Sequence, residues 1–377
     1  MKVLETEVPE IITPLDDITS AIEDIRKGKV VIVVDDEDRE NEGDFICAAE
    51  CVTPEIINFM ATHGRGLICA PVNEKRAEEL KLQMMVKDNT ALHETAFTVS
   101  IDLIGHGCTT GISAHDRATG IRALTDPKIK AEDYARPGHI FPLKAKTGGV
   151  LRRSGHTEAA IDLARMAGFY PAGVLVEILN QDGTMARVPQ LIEIARKHDL
   201  KIISIQDLIA YRMERERIVE RLPQYTISSK YGEWQVIPFR QLTTDDIHLA
   251  LVKGQTSLPS ASLVRVHSMS RTGDLLCVIF GDTGAEVDAA LSRIADEGNG
   301  VFLLMRHNEL SDNVLDILKA FENHMNPNAG PQQRDIGVGA QILRELGITR
   351  MKLLSNHDVQ RIGLIGFGLE IVEVVKL

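Results

Sequence analysis

A chain of 377 residues, 44% of them hydrophobic, has length for about two to three domains and apolar content for sizeable cores. Its formal net charge of −12 and pI of about 5.5 argue against nucleic acid or an anionic membrane as the main partner. No apolar run approaches the ~20 residues that span a bilayer, MKVLETEVPE lacks the apolar segment of a secretory signal, and the five scattered cysteines read as reduced thiols, so a cytoplasmic protein is expected.

Ile18, Ile22 and Ile25 recur at i, i+4 and i+7 ahead of Gly28, which predicts an amphipathic helix over 17–27. The β-branched run Val30–Val34 then reads as a buried strand. It leads into Asp35–Asp44, where seven of ten residues are acidic and Arg39 is the sole cation. A charge block is usually a solvated surface. A strand that ends in converging carboxylates, with Gly43 freeing the backbone, points instead to a hard divalent cation and a sugar phosphate.

A helix is predicted from Pro54 through Met60, a strand after the turn Gly64-Arg65-Gly66, and a half-buried strand over Phe97–Ile101. Gly111–Thr119 reads as a polar turn. In Arg136–Leu143 two prolines and a glycine fix the backbone around His139, which is either structural or catalytic.

Arg152-Arg153-Ser154-Gly155-His156-Thr157 opens a helix with an Ala160/Ala164/Ala167 stripe, and Thr157 is the expected N-cap. Arginines and small residues at a helix amino terminus suit a phosphate. His156 is placed to complete a metal shell with a carboxylate of the acidic loop. Glu177, alone on the apolar strand Gly173–Leu179, is either an edge residue facing water or a buried proton-transfer group. A helix over Pro189–Lys197, a strand over Lys201–Ser204 and a charged helix from Ser204 to about Glu220 follow.

The second half alternates short strands and helices: strands at Leu263–His267, Cys277–Phe280 and Val301–Met305, a helix at Glu286–Glu297, and a loop at Asn326–Gln333. It contains no clustered carboxylates and no basic run, so its own residues say only α+β domain. The expected architecture is α/β (α+β) in two domains, 1–212 and 225–377, with a linker at 213–224.

These motifs carry a resemblance. Asp38–Asp44, Thr95–Val99, Thr110–Ser113 with Asp116–Thr119, Pro137–Leu143 and Arg153–Glu158 are together similar to the 3,4-dihydroxy-2-butanone 4-phosphate synthase family, which makes a riboflavin precursor from ribulose 5-phosphate and releases formate. The resemblance implies that Glu40 and His156 bind Mg2+ or Mn2+. It also implies that Arg39, Glu40, Asp44, Arg153, Ser154, Gly155, His156, Thr157 and Glu177 contact the substrate, that His139 and Glu177 are the acid/base residues, and that the chain is a homodimer.

The second half resembles GTP cyclohydrolase II through Ser229–Glu233, His248–Gly254, Val264–Ser268 and Gly337–Leu343. That family's three zinc cysteines align with Ser270, Gly281 and Thr283, and Cys277 is out of register. Arg306–Glu309 replaces its Glu-Gly-Arg-Gly turn, Gln332 its catalytic Asp and Gln360 its late Lys, while Arg334 retains the paired Arg. The resemblance therefore implies a kept fold with the zinc site and GTP chemistry lost. A different zinc shell from His267, Cys277 and Asp282, or a nucleotide- or flavin-binding module, are the competing readings.

Overall fold

The computed structural model describes residues 15–36, 39–87, 89–91, 95–242, 244–255, 261–270, 283–307, 336–356 and 368–377. The first half runs α1 (Ile18–Arg26), β1 (Val31–Val34), β2 (Gly43–Ala48), α2 (Pro54–His63), β3 (Cys69–Asn73), α3 (Glu74–Glu79), β4 (Ile101–Leu103), α4 (Ala114–Ala123), β5 (Tyr134–Ala145), α5 (His156–Met166), β6 (Gly173–Glu177), α6 (Val188–His198), β7 (Ile202–Ser204) and α7 (Ile205–Arg215). Its strands form one mixed seven-stranded sheet in the order β4-β5-β3-β6-β2-β1-β7.

The β-branched character of β1 follows from burial on both faces. Val31 and Val33 pack into a core with α1, α5 and α7, while Ile32 and Val34 pack into another with α2, α4 and α6. Asp17 caps α1, Thr53 caps α2 ahead of Pro54, and Ser204 caps α7, each accepting from a first-turn N–H.

The second half contributes β8 (Val219–Arg221), β9 (Tyr225–Ser229), β10 (Gly232–Gln241), β11 (Ile247–Lys253), β12 (Ser262–Ser270), α8 (Thr283–Glu297), β13 (Gly300–His307), α9 (Ile336–Glu345), β14 (Arg350–Leu354) and β15 (Glu370–Val375). Its sheet runs β15-β14-β12-β13-β11-β10-β8, with β9 also on β10. The chain is thus a two-part α/β protein with mixed sheets. Among the described residues no helix is long and apolar enough to cross a membrane.

Four local expectations change. The Phe97–Ile101 alternation is not a continuous strand: Phe97 and Thr98 make isolated bridges to Leu143 and Met84, and the strand is Ile101–Leu103. The polar stretch Gly111–Thr119 hides the start of α4, because Ser113 caps it and Asp116 turns back to accept from Thr109 and Gly111. Thr157 is buried one residue inside α5, and Gly155 is the cap, where a β-carbon would collide with the Arg153 guanidinium. The helix drawn to Glu220 ends at Arg215, since β8 pairs with β10. Cys277–Phe280 and Asn326–Gln333 lie outside the described residues.

Candidate active site

One transverse row of the first sheet gathers the site. Val33 pairs with Asp44, and Asp44 with Glu177. One step along, Phe141, Cys69 and Leu175 are register partners in β5, β3 and β6. Moving two residues from each puts His139 and Leu67 level with Glu177. Residues on one row share a face of the sheet, so three strands present Asp44, Glu177 and His139 to the side on which α5 packs. The Leu67 N–H donates to Glu177 Oε2 at 2.9 Å. Gly66 is required there, because a β-carbon would run into that carboxylate.

The acidic loop is organised by Asp35, which the sequence reading did not single out. Its carboxylate accepts from the Glu42 N–H at 2.8 Å, the Glu40 N–H at 3.2 Å and Arg39 Nη1 at 2.8 Å. Arg39 Nη1 also lies 3.0 Å from Glu40 Oε2. Arg187 reaches the carbonyls of Glu40 and Asn41 from the far side. Asp35 was recoverable in principle: an acid at the exact end of a buried strand must satisfy the turn that follows.

His156, the first residue of α5, is buried with Nε2 3.1 Å from the Val33 carbonyl. That bond requires Nε2–H and turns the Nδ1 lone pair toward the loop. Nδ1 lies 4.0 Å from Glu40 Oε2 and 3.9 Å from Asp44 Oδ1. These separations are too long for hydrogen bonds and suit donors that each lie ~2 Å from one small cation. Asp35, Glu40 and His156 form a group that could hold a metal ion, but the Asp35 oxygens are already taken by the loop.

Asp44 Oδ1 is buried with no hydrogen-bond partner. Burial, then the charges of Glu177 and Glu40, pushes the Asp44 carboxyl well above its usual range. Burial, then Glu40 and Asp35, raises Glu42. Burial lowers the pKa of His156, which keeps its imidazole neutral as a metal ligand must be. The cluster is short of positive charge.

Beside it, Arg153 Nη1 donates to Glu158 Oε2 at 2.7 Å, and Arg153 Nη2 lies 3.4 Å from Thr95 Oγ1. Glu158 is buried and also accepts from the Lys146 N–H. Ser154 and Gly155 lead directly into the α5 amino terminus, where first-turn N–H groups and the helix dipole favour an anion.

His139 is 44% exposed on its side chain, and Asp102 on β4 holds it twice: Oδ1 accepts the His139 N–H at 2.9 Å and Oδ2 lies 2.7 Å from Nδ1. In a neutral imidazole this pairing favours the proton on Nδ1 and leaves the lone pair on Nε2. Asp102 was missed in sequence. The signal was there, a lone acid between apolar strand residues, as it was for Glu177. Gly138 is required because a β-carbon would strike the Ile101 backbone.

In the second half, Arg265 of β12 is held by Glu286 at 2.9 Å and the Leu354 carbonyl at 2.9 Å. Burial lowers the pKa of His267. Cys277, Gly281, Asp282, Asn308, Glu309, Gln332, Arg334 and Gln360 lie outside the described residues, as do the side chains of Ser270 and Thr283.

Known proteins share this architecture. The family model for 3,4-dihydroxy-2-butanone 4-phosphate synthase matches residues 19–211, and that for GTP cyclohydrolase II matches residues 220–376. The riboflavin biosynthesis protein RibBA of Cytophaga hutchinsonii is 55% identical over 373 residues, covering 96% of this chain and 92% of that protein. The crystal structure of RibBX, a two domain 3,4-dihydroxy-2-butanone 4-phosphate synthase from A. baumannii, is similar with a TM-score of 0.69 at 43% identity, covering 96% of this chain and 99% of that one. A 3,4-dihydroxy-2-butanone 4-phosphate synthase in complex with two magnesium ions matches at 42% identity and TM-score 0.52, covering 53% of this chain and 98% of that one.

Proposed function

The chain belongs to the 3,4-dihydroxy-2-butanone 4-phosphate synthase family, with a GTP cyclohydrolase II-like second half, and is a synthase of riboflavin biosynthesis; from this premise we propose that it converts D-ribulose 5-phosphate to L-3,4-dihydroxy-2-butanone 4-phosphate and formate, with Mg2+ or Mn2+ held by Glu40 and His156. The observation that carries the metal assignment is the unpartnered, buried Asp44 Oδ1 facing His156 Nδ1 beside Glu40. A buried acceptor without a donor is costly, and a cation beside it removes that cost. Oxygen and imidazole donors do not strongly separate magnesium from manganese.

When bound, the metal neutralises charge that develops on adjacent oxygens of the sugar. Arg153 and the Ser154–Thr157 helix start anchor the phosphate at one end. Arg39 and Asp44 line the other wall. Forming an enediol from a ketose phosphate needs a base at the carbon-bound proton. Glu177, on the Asp44 row, and His139, oriented by Asp102, are the two groups that move protons. The test is formate release from ribulose 5-phosphate during titration of metal-stripped protein with magnesium. Full activity without divalent metal would overturn the assignment.

The second half, whose sheet begins with β8 at Val219, is the part whose GTP chemistry we propose is lost. Ser270, Gly281 and Thr283 stand where thiolates would hold zinc, and without them no zinc-activated water forms. The decisive measurement is mass-spectrometric turnover of GTP by the full-length chain with added zinc. Opening to a diaminopyrimidine would establish a bifunctional enzyme. Calorimetry with GTP and flavins distinguishes a binding module from a purely structural one.

The proposal includes a homodimer, supported by exposed Met84, Met85, Val86, Ile104 and Ile112 in the first half. Sedimentation at a monomer mass would remove it. It also includes a cytoplasmic setting without nucleic-acid or membrane partners, supported by the free thiols of Cys47, Cys51, Cys69 and Cys108 and by the acidic net charge.

A further inference from the structure

The turn assigned to the phosphate does not stand alone. Arg153 N–H and Arg152 N–H both donate to the Gly149 carbonyl, at 3.1 and 2.8 Å, so the Gly148–Val150 segment sets the backbone of the turn. That segment is gripped from beneath. Asp162 of α5 accepts from the Val150 N–H at 2.8 Å, and Arg212 of α7 donates to Asp162 and to the Gly148 carbonyl, both at 2.7 Å. Gly149 has φ +62°, and a β-carbon there would collide with the Asp162 carboxylate. Asp162 and Arg212 are both buried.

The grip continues into the second half. Arg212 pairs with Glu216, just past α7, and Arg165 of α5 donates to the same carboxylate at 2.7 Å. Beside the exposed Arg217–Glu345 pair, the chain beyond Glu216 is gripped by a buried side chain of α9, Gln341. Its Oε1 accepts from the Ile218 N–H at 2.7 Å and the Val219 N–H at 3.0 Å, and its Nε2 donates to the Glu216 carbonyl at 3.0 Å. Gln341 is buried, and α9 also packs directly on Gly149–Leu151. Val150 and Leu151 share one apolar core with Val338 and Ile342.

We propose that Gln341 and Arg212 are positioning residues for the synthase reaction: α9 of the second half braces the sugar-phosphate turn through the Glu216–Val219 connector and the Asp162–Arg212 pair. The second half thereby sets affinity for the phosphate end of the substrate without touching it. This inference rests on the assignment of the Arg153–Thr157 turn to the phosphate.

The test uses the full-length protein, with ribulose 5-phosphate as substrate and inorganic phosphate as competitive inhibitor. Gln341→Met keeps length and loses the three hydrogen bonds to the Glu216–Val219 backbone. Arg212→Lys keeps charge and loses the fork that joins Gly148, Asp162 and Glu216. Each raises KM and the phosphate inhibition constant together by about tenfold, with kcat within about twofold, because a loosened turn loses preorganisation and leaves the metal and proton-transfer groups in place. Should Gln341→Met fail to fold, Arg212→Lys reads the same path. Arg153→Ala separates the two assumptions. If it leaves phosphate inhibition unchanged, the phosphate assignment is wrong. If it weakens inhibition while Gln341→Met and Arg212→Lys do not, the brace is wrong. A fall in kcat at constant KM in either brace variant also overturns it.

Discussion

The acidic loop of the first half and the polar interior of the second half handle buried charge in opposite ways. Around Asp44, several carboxylates converge on one histidine and one arginine, and an oxygen is left without a donor. Around Arg265, the guanidinium is matched by Glu286 and a carbonyl, and His248 sits between Gln241 and the Arg306 N–H. The contrast has exceptions, since Asp246 Oδ1 and Arg265 Nε are also unpartnered. The difference lies in net charge: the first cluster gathers more carboxylates than cations, whereas in the second the guanidinium of Arg265 meets a carboxylate. Charge that the protein itself does not balance marks the place where a ligand completes the structure.

The largest expected effect tests that statement directly. Glu40→Ala and His156→Ala each lower formate release by about 10³-fold at ordinary magnesium, with the circular dichroism of the parent retained. Rates near the parent value in both variants would mean that the uncompensated charge marks no metal. Glu177→Gln comes next. Its loss of about 10²-fold or more in kcat identifies a proton-transfer group. A change confined to KM would make it a binding residue. Asp102→Asn is smaller, about tenfold in kcat, because it frees His139 to turn and to hold the wrong tautomer without removing the imidazole. An unchanged pH profile and rate would leave His139 without a catalytic role.

Much of this was readable in the chain. The β-branched Val30–Val34, the acidic run after it and the Arg-Ser-Gly-His turn are brought together by the fold around His156, and they were legible because burial on two faces and like-charge crowding leave compositional traces. What stayed hidden depends on tertiary pairing. Asp102 acquires its role only because β4 lies beside His139 on β5, 37 residues away. Gln341 is one polar residue in an ordinary amphipathic helix until the connector's unpaired N–H groups meet it. The Gly111–Thr119 stretch misled for a related reason: Asp116, which reads as polar and exposed, is buried by bonds to its own loop.

The smallest effect concerns a buried acid outside both clusters, and it shows up in stability. Asp162, like Asp44, is buried with a raised pKa, but it has donors from Arg212 and Val150. Burial dominates, only partly offset by Arg212, and brings its pKa up to about 6. Because the folded value lies above the unfolded one, the folded state binds the proton more tightly between about pH 4 and 6, and stability falls as pH rises through that window. Asp162→Asn removes this slope, so the comparison of parent and variant denaturation midpoints at pH 4 and pH 6.5 measures it, whatever the variant's absolute stability. Equal slopes would show that Arg212 compensates the carboxylate fully. The pair would then be balanced, as Arg265 is by Glu286, and would differ from Asp44, whose Oδ1 is buried without a donor.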